Sequence, residues 1–299
     1  MDIIGKKKFY FLISFILVVP GLISLFLYGL NLSIDFTGGS RFSVKFEKNV
    51  GDREEEEARE ILNKEKIKIS SIEQSKNLLC VRTEPIPQEK GEKLRQDFAT
   101  FVKDAKIEQF ETIGPTIGEE TTLNAVKAVV IASALVVLYI TYVFRKVPKP
   151  ASSLSFGIST VIALIHDILV VLGVFSLLGH FSGIEIDSLF VTAVLTVIGF
   201  SVHDTIVVFD RIRENLSKSE NAPFEKVVND SILQTLNRSI NTSLTVILVL
   251  LALLLFGGES IKWFVVALLI GIASGTYSSI FNASPILVVW NEFVRKRKK

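Results

Sequence analysis

Five side chains have the types and positions to move a cation through an apolar environment: the adjacent pairs His166-Asp167 and His203-Asp204, and Arg238. Each sits within or beside an apolar run. A charge near a bilayer centre costs about 2.5–3.5 kcal/mol on insertion scales, so such groups face a bundle interior or a wet cavity. A carboxylate balanced between burial and an opposite charge takes up and releases a proton as its surroundings change. Helical rise gives their depths. Asp204 lies about 24 Å from Ser188, and Arg238 about 27 Å from Phe256 at the same face, so a carboxylate–guanidinium pair is expected in the inner part of the bilayer. Asp167, about 20 Å from Leu154, falls nearer the middle. Plainer roles stay open for three of the five: Arg238 as an interfacial anchor snorkelling to the cytoplasm, Asp204 snorkelling likewise from six residues before Asp210 though its short side chain reaches poorly, and His166 as a satisfied core histidine. The likeness of HDILVV (166–171) to HDTIVV (203–208) is read as coincidence, because the two helices run in opposite directions. The sequence has no HExxH, and no Gly-x-Gly precedes Asp204. Covalent chemistry, a metal and a cofactor are therefore not expected.

The elements that must position these residues are long and apolar. Hydrophobic residues make up 49% of the 299, and runs at 9–30, 128–144, 154–178, 188–209, 240–256 and 263–290 approach or exceed the roughly 17–25 residues that span a bilayer. In lipid these must be helices, which predicts a polytopic α-helical membrane protein with six transmembrane helices. The first run follows Lys6-Lys7-Lys8 but is too long for a signal peptide and lacks a cleavage site, so it is read as a retained anchor. Pro20-Gly21 within it predicts a kink. Lys and Arg concentrate in the N-terminus, at 145–150, at 210–238 and at 295–299, with only Lys127 and Lys262 on the other side. That bias puts both termini in the cytoplasm. Net charge is +2, which names no partner. The basic tail fixes orientation and touches anionic lipid, and nucleic acid is not expected.

Between the first two spans lies a polar insert, 32–122, with 15 Lys/Arg against 19 Asp/Glu. Alternation at Phe42, Val44 and Phe46 reads as a strand, 52–66 as a helix with an acidic first turn, 67–74 and 78–83 as strands, 89–103 as a helix and 107–113 as a last strand. That βαββαβ order predicts an extracytoplasmic α+β ferredoxin-like domain. The expected division is 1–31 for the tail and first helix, 32–122 for this domain, and 123–299 for a five-helix bundle with a basic tail. Glu54–Glu57 is read as a solvated helix face. Cys80, the only cysteine, is read as a small packed hydrophobe. In the bundle, Gly271 and Gly275 with Ser278 and Ser279 form a face for close helix approach. Ser239, Asn241, Thr242 and Ser243 suit either a wetted path or ordinary packing. Residues 223–236 read as an amphipathic helix lying along the membrane surface.

Several stretches, in order and spacing, carry a resemblance: IDFTGGS (34–40), IGPTIGEE (113–120), ALIHD (163–167), DTIVVFDRIREN (204–215), QTLNRSINTS (234–243), FGG (256–258) and LIGIASGTYSSIF (269–281). The sequence resembles the SecF side of the SecD/SecF family, Sec translocase subunits related to resistance-nodulation-division transporters. The resemblance implies a six-helix half-transporter that pairs with a SecD-like subunit into a twelve-helix unit in the cytoplasmic membrane. It implies work beside the Sec translocon channel on unfolded polypeptide in transit, driven by a proton or sodium gradient. By matched position, Asp204 and Arg238 fall on the family's membrane-embedded aspartate and arginine implicated in ion passage, and Asp167 on its third-helix acid. His203 stands where many relatives have asparagine. Its titration near neutral pH bears on the ion used or the working pH, unless it serves as a neutral hydrogen-bond donor. The competing readings are a small-molecule or lipid exporter half and a non-coupling structural subunit.

Overall fold

The computed structural model describes residues 2–47, 49–101, 106–218 and 222–297. In chain order the elements are α1 (Lys7–Tyr28), α2 (Ile34–Thr37), β1 (Gly39–Lys45), α3 (Asp52–Lys64), β2 (Ile69–Ser75), β3 (Leu78–Thr83), α4 (Gln88–Phe101), β4 (Lys106–Ile113), α5 (Pro115–Val143), α6 (Ser153–Ser182), α7 (Ser188–Lys218), α8 (Phe224–Phe256), α9 (Lys262–Ser278) and α10 (Ser284–Arg297). Among the described residues six stretches are long and apolar enough to cross a membrane: α1, α5, α6, α7, α8, and the rod Glu259–Arg297 that holds α9 and α10. Contacts divide the chain into two units, Leu32–Ala125 and the remainder. The boundary near 125 falls inside α5, so the second span begins in the segment after β4.

Two sequence expectations change at the level of elements. The stretch 223–236 is not a separate surface helix: it is the first part of α8, 33 unbroken residues. No Gly or Pro interrupts 224–256, so nothing ends the helix. The sixth span, in contrast, is not uniform. Ser279–Ala283 forms a π turn between α9 and α10. Pro285 follows it and cannot donate to a carbonyl one turn back, and a local rewinding is how helices absorb such a loss. In α1 the helix runs through Pro20 without a break.

With no hydrophobic drive between helices in lipid, close approach and buried hydroxyls hold the bundle together. Gly21 of α1 meets Gly173 of α6 so closely that a Cβ on either would lie 2.6 Å from the other's Cα. One turn on, Ser24 and Ser176 share a hydrogen bond of 2.8 Å. On α9, a Cβ at Gly275 would lie 2.9 Å from Ser201 of α7, and one at Gly271 would overlap Val197. Where α5, α6 and α7 meet, Phe144 stacks on Phe156 and Phe209 meets both edge-on. The end of the bundle holding both termini is tied by polar contacts. Asn229 of α8 accepts from the Ile3 N–H at 2.8 Å, Lys7 pairs with Glu292, and Asn291 donates to the Pro150 carbonyl ahead of α6 at 3.2 Å. The charged end of α7 clamps α8: Arg211 donates to Gln234 at 2.5 Å, and Asn215 to Ser231 at 2.9 Å.

The second unit is a four-stranded antiparallel sheet in the order β2-β3-β1-β4, the ferredoxin-like split βαβ arrangement. Alternate residues Phe42, Val44, Leu79 and Val81 pack with Ala58, Ile61 and Leu62 of α3 and Leu94 and Phe98 of α4 into its core. Ahead of β1 the chain turns at Gly38 and Gly39, whose φ angles of +69° and +127° favour glycine. A Cβ at Gly38 would also lie 2.8 Å from Pro115 Cα. Glu54 caps α3 by accepting the Gly51 N–H at 2.8 Å. Glu55 joins Arg59 on its own helix and Gln74 of β2 at 2.7 Å.

Candidate functional site

Asp167 sits in the middle of α6 with no exposed surface. Its Oδ2 accepts from Ser201 of α7 at 2.6 Å and from Ser278 of α9 at 2.6 Å. Its Oδ1 accepts from Ser274 of α9 at 2.8 Å and from His166 Nδ1 at 3.1 Å. All four lone-pair directions of an ionised carboxylate are used. Ser274 and Ser278 are four apart, so they share a face of α9, and three helices converge on one acid.

Asp204 is also buried, 2% exposed, but it is held differently. Among the described residues only Oδ2 has donors, Ser243 of α8 at 3.2 Å and Thr276 of α9 at 3.4 Å. Both hydroxyls have nearer acceptors on their own helices. Ser243 is 2.9 Å from the Ser239 carbonyl, and Thr276 is 2.9 Å from the Ile272 carbonyl and 2.6 Å from Ser243 Oγ. A second set of hydroxyls runs between the acids: Ser279 in the π turn meets Thr205 at 3.0 Å and the Ser201 carbonyl at 3.1 Å.

The expected Asp204–Arg238 pair is not formed. No ion pair joins the two among the described residues, and Arg238 lies on the exposed side of α8. The reason is azimuth. Ser243 turns toward Asp204, and Arg238, five positions earlier, points about 140° away at 100° per residue. Equal depth did not mean a shared face. His203 is likewise exposed while Asp204 is buried, as neighbours in a helix must be when the interior is narrow. The structure therefore brings together Asp167, Asp204 and the packing glycine Gly275 around α7 and α9, and leaves His203 and Arg238 facing outward. Sequence reasoning missed Ser201, Ser274 and Thr276, and took Ser278 for packing alone. A signal was present: polar residues at 274, 276, 278 and 279 in an otherwise apolar span.

Comparison with known proteins bears on the whole chain. The family model described as "Protein export membrane protein SecD/SecF, C-terminal" matches residues 93–293, and the "SecD/SecF GG Motif" model matches 23–50. The protein translocase subunit SecF of Thermobaculum terrenum is 45% identical, over 99% of this chain and 96% of that one. The SecF of Anaerolinea thermophila is 43% identical, over 97% and 94%. The crystal structure of SecDF, a translocon-associated membrane protein from Thermus thermophilus, superposes with a TM-score of 0.82 at 35% identity. That match takes in 98% of this chain but only 39% of the SecDF chain. Glycines at the tight turn before β1, six spans around buried acids, and relatives matched nearly end to end lead to one conclusion: the chain belongs to the SecD/SecF family of protein export membrane proteins, on its SecF side.

Proposed function

We propose that this protein is an ion-coupled SecF subunit. In this reading it works with a SecD-like six-helix partner in the cytoplasmic membrane, its termini in the cytoplasm and its ferredoxin-like domain on the opposite side. Downhill passage of protons, or of sodium, helps draw secretory polypeptide from the Sec channel. It forms and breaks no covalent bond. The observation that carries the reading is the buried Asp204 with hydroxyls poised between two acceptors. While the carboxylate is charged, Ser243 and Thr276 lean toward it and tie α7 to α8 and α9. When a cation arrives, each hydroxyl retains its own helix's carbonyl at 2.9 Å, so the tie loosens at little cost and the helices move apart. The membrane potential supplies about 2.3 kcal/mol per charge per 100 mV. Arg238 and His203 face outward, where a partner bundle carrying acidic groups suits them.

The test is gradient-dependent export in membrane vesicles carrying Asp204→Asn. The expected result is loss of the gradient-driven increment with the ATP-driven part intact. Wild-type stimulation in Asp204→Asn, alongside a defect on deletion of the whole chain, would make the protein a structural subunit instead.

A further inference from the structure

Four fully buried side-chain atoms make no hydrogen bond to another protein atom among the described residues: Ser159 Oγ, His166 Nε2, Ser239 Oγ and Ser284 Oγ. Their placement is one-sided. Ser159 precedes Asp167 on α6, Ser239 precedes Ser243 on α8, and Ser284 follows Ser278 beyond the π turn. Each lies toward the end of the bundle that holds the termini, as the Asn291–Pro150 and Ile3–Asn229 contacts fix it. On the far side of the acids the buried polar groups among the described residues are satisfied: Ser176 bonds Ser24 at 2.8 Å and the Gly29 carbonyl at 2.7 Å.

A serine in an apolar helix ordinarily returns its hydroxyl to the carbonyl one turn back. Thr160 does so, donating to Phe156 at 2.9 Å, and its neighbour Ser159 does not. Ser159 and His166 are seven apart and so share a face of α6, the helix against which the π turn and α10, with Ser284, are packed. His166 gives Nδ1–H to Asp167, since a carboxylate only accepts. That leaves the buried Nε2 with no protein partner among the described residues. Buried polar atoms without protein partners are the usual seats of internal water.

We infer that a chain of internal water molecules runs along α6 and α10 from the end bearing the termini to His166 and Asp167, with Ser159 and Ser284 as its lining hydroxyls. The rise from Ser159 to His166 is about 10.5 Å, a distance that about three waters bridge at hydrogen-bond spacing. Coupling gives the chain its purpose and so rests on the proposed function, but its existence does not.

The test uses the full protein in its native membrane, with Cys80→Ala as background. Ser159→Cys, Ser284→Cys and Val170→Cys are exposed to a small cationic thiol reagent from the face bearing the termini. Val170 is buried one turn beyond His166 on the same face of α6. The expected result is modification at 159 and 284 at least about tenfold faster than at 170, because thiol reaction follows water access. Equal, slow reaction at all three positions overturns the inference. Radiolytic hydroxyl labelling of the unsubstituted protein guards against a folding defect: His166, whose side chain is 10% exposed and whose Nε2 is enclosed, should be oxidised, and its protection counts against the water chain. Ser159→Val then separates purpose from existence. Reduced gradient-driven export supports the role in coupling, and unaltered export together with positive labelling keeps the water chain while removing that role.

Discussion

Asp167 and Asp204 are both buried aspartates on neighbouring spans, yet their hydrogen bonds set them different tasks. An acid with four donors at 2.6–3.1 Å fixes three helices. One with two donors at 3.2 and 3.4 Å is free to change partners. Asp167→Asn replaces one acceptor oxygen by an N–H₂ and removes the charge, so the donors on that oxygen must turn elsewhere and the remaining bonds lose their charge assistance; it is expected to destabilise the protein by about 2–4 kcal/mol. Asp204→Asn should stay within about 1 kcal/mol, since membrane hydroxyl bonds average well under that. Thermal unfolding followed by Trp263 and Trp290 fluorescence distinguishes them, and equal shifts would refute the division. In the ferredoxin-like domain, the Gly51 and Glu54 backbone N–H groups hold the Glu54 carboxyl below its usual 4.5. Gln74, then Arg59, do the same for Glu55. A carboxylate with a lowered folded value adds stability above the unfolded value and loses it as pH falls through the folded one. Carboxyl titration by NMR should therefore give midpoints below 4.5 for both, and Gln74→Leu should raise that of Glu55. At this scale the sequence disclosed depth, because rise per residue is fixed. It did not disclose azimuth, because that depends on which faces the neighbours take, and so the Asp204–Arg238 pair was misplaced.

Among the elements, glycines show where packing leaves no room. Gly21, Gly173 and Gly275 each stand where a Cβ would come within 3 Å of a neighbouring helix. Gly199, also on α7, has nothing within 4 Å. Gly21→Ala and Gly275→Ala are expected to cost about 1–3 kcal/mol through forced separation, whereas Gly199→Ala should be neutral or gain up to about 1 kcal/mol from helix propensity. Ranking the melting temperatures of the three variants tests this, and a loss at Gly199 equal to that at Gly275 would contradict it. The six spans and the βαββαβ order were legible because hydrophobic run length and strand alternation are local signals. The continuity of α8 was obscured by its polar first half, which reads alone as a surface helix. The π turn was hidden because its cause, Pro285, acts one turn upstream.

For the molecule as a whole, the polar groups that the bundle does not use are as informative as those it does. His203, Arg238 and Asn241 are exposed on α7 and α8 and make no side-chain hydrogen bond or ion pair among the described residues. Exposure to lipid near the bilayer core would cost about 2.5–3.5 kcal/mol for the arginine alone. The partner bundle proposed above would relieve that cost, and the SecDF structure, of which this chain matches 39%, has the length to include one. Arg238→Leu is accordingly expected to leave the melting temperature of the isolated chain unchanged within about 1 °C, because no internal bond is lost. The same variant should weaken co-purification with the SecD-like subunit by about tenfold or more, the loss that follows from stranding a partner's charge. Retained association with an unchanged melting point would mean that Arg238 reaches headgroups and not a partner, and would move the inter-subunit contact off the exposed face of α8.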